Sequence, residues 1–196
     1  MSKPLLSILT PAVPSRFDQV RRLSEHLAAQ TTGLPVEHLI LMDNKQRTIG
    51  EKRDALLRAA RGVFVAFVDD DDWVSDDYVA ELVAAAPLLP DVITFRQRAT
   101  VNELTSEIEF RLGNPNEPFK PGGVTRRNAW HVCAWRRSLA VQSGFPASNY
   151  GEDWAFAAPL CALANLGDIH IPKVLHFYRH STATTEAPPP VVNKAD

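Results

Sequence analysis

The chain has 196 residues, 45% of them hydrophobic and 22% charged, with a formal net charge of -2 at pH 7. A chain of that length buries enough surface to fold without disulfides or a structural metal, and none of its apolar runs approaches the ~20 residues that span a bilayer. Membrane-spanning, disulfide-rich secreted and fibrous classes are excluded, and a soluble cytoplasmic protein is expected. Cys133 and Cys161 lack metal-ligand spacing and read as small buried thiols in a reducing compartment. Charge is unevenly spread. Six of the 23 acids fall between Asp69 and Asp77, and 15 of the 21 basic residues are Arg, the side chain suited to bidentate phosphate contacts.

In chain order, Leu5 to Leu9 reads as a buried strand stopped by Thr10-Pro11, and Pro14-Ser15 open a helix with Phe17, Val20, Leu23 and Leu27 on its apolar face. His38 to Met42 is a short strand ended by Asp43-Asn44, and Ile49 to Ala60 is helical by period. Val63 to Val68 is apolar on both faces, as a central strand should be, and Ser75 is expected to cap a helix through Ala86. This alternation predicts a parallel, right-handed α/β sheet. The second half is mixed: strands at 92–98, 107–112, 132–135 and 174–179, and a Pro-kinked helix at 154–164. A Pro- and Gly-rich loop at 113–123 is a candidate lid. Residues 182–196, with three consecutive prolines, are expected to be a disordered tail.

Asp69-Asp70-Asp71-Asp72 follows the apolar strand directly. In an extended chain Asp69 and Asp71 would share one side, about 6.5 to 7 Å apart, and a hard divalent cation (Mn²⁺ or Mg²⁺) would neutralise the run and bridge to a substrate phosphate. Ligands of open α/β sheets sit beyond the carboxyl ends of strands, where this run lies; a solvated acidic loop is the plainer alternative. Glu152-Asp153, flanked by Tyr150 and Trp154, offers a candidate general base, and Gly50, Lys52 and Arg53 could approach a diphosphate. There is no glycine-rich dinucleotide fingerprint and no P-loop.

Together these pieces resemble the family 2 glycosyltransferases of the GT-A fold, over Pro4 to His180. The matching stretches are Ser7-Ile8-Leu9-Thr10-Pro11, Asp43, Gly50-Glu51-Lys52-Arg53-Asp54, Asp69 to Asp72, and Glu152-Asp153. The resemblance implies one domain over 1–181, with a mostly parallel, Rossmann-like donor half (1–98) and a mixed-strand acceptor half (99–181). It implies a nucleotide-diphosphate sugar as donor, most often a UDP-sugar, held by Thr10, Pro11, Ala12, Arg16, Asp43, Gly50, Arg53, Asp69 and Asp70. Asp71 with Asp69 would hold the metal, with His176 or His180 as an extra ligand. Asp153 would act as general base with Glu152 orienting it or the acceptor, giving inversion at the anomeric carbon. Asp54 stands where the family has Asn, which adds a charge near the diphosphate, and the short chain favours a soluble or large, externally presented acceptor over a lipid carrier.

Trp130, His131, Trp135, Arg136 and Trp154 are candidate acceptor contacts. Arg126-Arg127 and Arg136-Arg137 interleave with these aromatics, a pattern that tracks a phosphate backbone and suggests a hydroxymethylated DNA base, as in phage pathways that compact relatives serve. A saccharide, a small metabolite or a protein hydroxyl are the alternative acceptors. A non-catalytic sugar-nucleotide or carbohydrate-binding module and a metal-dependent nucleotidyl or phosphoryl transferase are the alternative functions. Oligomeric state is not legible.

Overall fold

The computed structural model describes residues 3–180. Nine strands form one sheet. One side of it is parallel: β2 (Val36–Met42), β1 (Leu6–Ala12) and β3 (Phe64–Phe67) lie side by side. Beyond β3 the sheet is mixed. β8 (Ala134–Arg136) joins β3 antiparallel and carries the sheet to β5 (Val92–Val101), β6 (Leu104–Phe110) and β7 (Val124–Arg127). β9 (Asp168–His180) runs parallel to β5 along its length and pairs with β4 (Trp73–Val74).

Both faces of the parallel half are apolar because both are covered. Leu6, Ile8, Phe64, Ala66 and Val68 pack toward α1 (Phe17–Thr31) and α3 (Tyr78–Ala85). Leu9, Val65 and Phe67 pack on the opposite side toward α2 (Ile49–Ala59), α4 (Arg137–Ser143) and α5 (Glu152–Cys161). The period-two alternation along each strand is what divides the core into these two layers.

Several boundaries differ from the sequence reading, each for a local reason. β1 runs on through Thr10-Pro11 to Ala12, because past Leu9 it pairs with β2 alone and a proline's missing N–H is harmless on such an unpaired edge. Phe17 is 59% exposed, so the apolar face of α1 is Val20, Leu23 and Leu27. Ser75 does not cap α3. Its backbone N–H donates to Leu175 O and its hydroxyl to Asp77, since Trp73-Val74 has already turned into a strand beside β9. β9 begins at Asp168 rather than Val174 because Pro172 and Lys173 bulge out of a ladder that resumes at Arg96–Val174. β5 and β6 form a tight hairpin through Asn102 and Glu103, both at positive φ (47° and 70°), the backbone that a two-residue turn between twisted strands requires. The short elements β4, β7 and α4 were absent from the sequence reading. The expected tail at 182–196 lies outside the described residues. No helix among the described residues is long and apolar enough to cross a membrane.

Candidate functional site

The acidic run leaves the carboxyl end of β3 as a turn, closed by Asp72 N–H donating to Asp69 O (3.1 Å). The extended alternation expected for Asp69 and Asp71 therefore does not hold, and the four carboxylates point to four different environments. Asp69 has both oxygens on Arg53, at 2.8 and 2.7 Å. Asp70 is buried, accepting from Arg16 (2.7 Å) and from the backbone N–H of Val13 (3.0 Å). Asp71 is the exposed member, its side chain 36% accessible and 3.1 Å from Arg16. Asp72 is buried, 3.4 Å from His176 Nε2, and its Oδ1 has no hydrogen-bond partner.

Burial, and then the neighbouring carboxylates, set the electrostatics. Burial works against charge on Asp69, but the Arg53 guanidinium holds it below the usual carboxylate range. Asp72 is held well above that range by burial and by Asp69 and Asp71. Burial pushes His176 down to about 4, and Gln97 Nε2 donates to its Nδ1 at 3.0 Å, leaving the ring proton on Nε2 toward Asp72. His131 is also depressed by burial and by Arg53. Both imidazoles are neutral at physiological pH.

Arg53 is the hub. It is buried under the acidic turn with its guanidinium 5.4 Å from the Phe67 ring centroid, and its Nε reaches Glu152 at 3.3 Å. Glu152 opens α5, and burial raises its carboxyl against the pull of Arg53. Asp153, one residue on, lines a cleft of about 440 Å³ together with Arg53, Asp69, Asp72, His131 and Trp130. One arginine thus joins the acidic turn to the helix that presents the candidate base. Phe119, from the 113–123 loop, and Tyr178 of β9 complete the cleft wall.

Other candidates serve the frame. Thr10, Pro11 and Ala12 are buried: the Thr10 hydroxyl bonds His38 Nε2 (2.9 Å) and the Ala12 carbonyl accepts from Lys52 (2.8 Å). Lys52 also lies 2.8 Å from Asp43 Oδ1, so its buried ammonium ties the ends of β1 and β2 together. Gly50 does not open toward a diphosphate. Its N–H donates to Ser148 O, and a Cβ there would sit 1.9 Å from Pro146 O, so it is the point where α2 packs on the chain entering α5. Asp54 likewise faces Arg58 and the Phe145 N–H rather than the acidic turn.

Two acceptor candidates are withdrawn from the site. Trp135 is fully buried, its indole N–H donating to Trp130 O, and Arg136 is held by the carbonyls of Leu89 and Pro90. The interleaved cation–aromatic track expected for DNA is therefore broken. Trp130, His131 and Trp154 stay near Asp153: the first two line its cleft, and Trp154, half exposed, tilts toward Trp130 with ring centroids 5.8 Å apart. His180 sits beside Tyr178 at the far end of β9, opposite Val101, four residues beyond His176.

Gln97 and Tyr178 were missed as site components, and Phe119 was covered only as part of the 113–123 loop. Lys52, the cation expected to approach a diphosphate, is instead buried against Asp43. The others reach the cleft through pairings remote in sequence.

Comparison with known proteins supplies the context. The model of glycosyl transferase family 2 matches residues 18–142. EpsH of Bacillus subtilis (strain 168), whose name places it among glycosyltransferases, is 35% identical over 127 residues, covering 56% of this chain and 37% of EpsH. S. aureus TarS 1-349 superposes with a TM-score of 0.60 at 16% identity, over 89% of this chain and 60% of that one; the same fragment has been solved with UDP-GlcNAc. The mannosyltransferase PcManGT from Pyrobaculum calidifontis, solved with GDP-Man and Mn²⁺, gives a TM-score of 0.55 at 13% identity, over 90% of this chain and 57% of that one. The chain thus spans well under two thirds of each of these relatives. The two superpositions show that these structures share its α/β fold. With the family model covering more than half of its residues, the chain belongs to glycosyl transferase family 2.

Proposed function

We propose that this chain transfers a sugar from a nucleotide-diphosphate sugar to an acceptor hydroxyl, with inversion at the anomeric carbon. The observation that carries this reading is the shared cleft, in which Asp153 on α5 lies with Asp69 and Arg53 at the carboxyl end of β3. Asp153 takes the proton of the acceptor hydroxyl as its oxygen attacks the anomeric carbon. The bond from that carbon to the diphosphate oxygen breaks on the opposite face, and the nucleoside diphosphate departs. Arg53 and Glu152 hold Asp153 in register with the acidic turn.

The residues fit a hard divalent cation. Asp71 is exposed and Asp72 keeps a buried oxygen without a hydrogen-bond partner, while Mg²⁺ or Mn²⁺ typically takes one or two carboxylates and completes its shell from water and substrate phosphate. The described residues hold no cluster of three or more His, Cys, Asp or Glu placed for a metal. Asp71 is the primary ligand in this reading. Asp69 could join only if its Arg53 bridge opened, and His176, through Asp72, is nearer than His180. Bound there, the ion would stabilise the charge that develops on the leaving diphosphate. A UDP-sugar is the first donor to test, since TarS binds UDP-GlcNAc.

Nucleoside diphosphate release from UDP-GlcNAc, UDP-glucose and GDP-mannose, with and without Mn²⁺, tests the proposal. Metal-dependent release with a free sugar of inverted configuration is expected. Release of the sugar 1-phosphate, with the nucleoside monophosphate passed to an acceptor, would indicate nucleotidyl transfer, and metal-dependent binding without turnover would indicate a binding module; either overturns it.

A further inference from the structure

Beside the catalytic cleft lies a second concavity of about 270 Å³, between the chain around Asn128 and the outer face of α5. The two share Trp130, which lines both. Trp154, next to the candidate base in sequence, is 51% exposed and also lines the second concavity. The two concavities thus meet at Trp130, with the Trp154 ring 5.8 Å from it, centroid to centroid.

The groove's chemistry is specific. Its floor is made of small residues such as Ala157 and Ala158, and no charged side chain lines it. Its polar side chains include two amides whose oxygens are already committed: Asn128 Oδ1 accepts from the N–H groups of Gly113 (3.3 Å) and Ala129 (2.9 Å), and Asn116 Oδ1 accepts from Asn128 N–H (3.1 Å). Those bonds fix which way each amide faces and leave both NH₂ groups without an acceptor among the described residues. Aromatic faces for an apolar ring surface, fixed amide donors for hydroxyl oxygens and no cations together describe a site for a neutral sugar ring. A nucleic acid would need cations along its phosphates, and an alkyl chain would leave both amides unmatched.

We propose that this groove is a saccharide subsite, so that the acceptor is a neutral glycan of at least two residues, its reacting sugar beside Asp153 and its neighbour on the Trp130–Trp154 pair. This identity rests on the transferase reading above; the binding site itself is tested separately.

The labelled full chain, with UDP and Mn²⁺ present, is applied to an array of defined neutral mono- to hexasaccharides. The array also carries a single-stranded DNA containing 5-hydroxymethylcytosine and an immobilised dodecyl chain. Wild type is expected to bind di- or longer saccharides. Trp154→Ala should weaken that binding by about tenfold or more, the scale of losing one stacked ring. Asn128→Asp keeps the oxygen that braces the loop but removes the NH₂ donor, and should weaken binding severalfold. Thermal melting checks that both variants fold. The proposal is overturned if wild type binds no saccharide, if both variants bind as wild type does, or if binding goes to the DNA or the alkyl chain. Donor hydrolysis by wild type is read in parallel. Hydrolysis without glycan binding removes the subsite and leaves the transferase reading; tryptophan-dependent glycan binding without turnover of any donor does the reverse.

Discussion

Arg53 grips both oxygens of Asp69 while its Nε reaches Glu152, so one buried guanidinium ties the acidic turn after β3 to the first residue of α5. Removing the cation leaves two carboxylates facing each other without compensation. Breaking a buried pair in this way costs about 3–5 kcal/mol. Arg53→Met should lower the unfolding free energy by about that much in urea denaturation. Arg53→Lys keeps the charge but cannot make the parallel pair of bonds, and should fall between Met and wild type. An unchanged midpoint in the Met variant would show that the bridge contributes nothing to the fold.

Asp153 shares the cleft with Asp69 without sharing its ion pair, which makes it separable from the scaffold. Asp153→Asn preserves size and hydrogen bonding but cannot take a proton. Transfer should drop by roughly 10² to 10⁴, while calorimetric binding of the donor nucleotide stays close to wild type. Equal losses of binding and turnover would assign Asp153 to donor recognition instead.

The contrast between these residues shows what was legible beforehand. The apolar run ending in Asp69 to Asp72 and the Glu152-Asp153 pair stand out in the sequence because each is a local pattern, and Asp69, Asp72 and Asp153 from these two stretches line one cleft. The turn that separates the four aspartates was not legible, because its hydrogen bond depends on where β3 ends rather than on composition. The partners of Arg53 lie 16 and 99 residues away, a distance no periodicity spans. Trp135 and Arg136 misled for the same reason. Their spacing resembles a binding track, but β8 buries the indole between β3 and β5 and the guanidinium caps the carbonyls before β5.

Asp71 is the exposed carboxylate of the turn, so it is the member that can change without unfolding the protein. Asp71→Ala should abolish the Mn²⁺-dependent part of the calorimetric signal for UDP and leave the melting temperature of the free protein nearly unchanged. Chelation with EDTA should reproduce the loss in wild type and have no effect in the variant. A metal-dependent signal that survived in Asp71→Ala would move the ion to Asp72 and His176.

Glu37 gives a prediction about pH that is independent of the site. On β2 opposite Ser7, it accepts from the Ser7 hydroxyl (2.7 Å), from Arg61 N–H (2.6 Å) and from the Arg61 guanidinium (2.8 Å). Burial works against its charge, but these bonds outweigh it and hold the carboxyl below its ordinary range. A depressed carboxylate stabilises the fold above its unfolded pKa, near 4.3, and that contribution is lost as pH falls through the folded value. Glu37→Gln places an amide NH₂ against the guanidinium and should cost about 1–3 kcal/mol at pH 7, the scale of hydrogen bonds to a charged group. The difference between variant and wild type should shrink as pH falls from the unfolded pKa through the lower folded value, below which wild type also carries a neutral side chain. Paired urea titrations from pH 3 to 7 measure that difference directly, and a gap that stayed constant across the range would mean that the charge of Glu37 contributes nothing to joining β1 and β2.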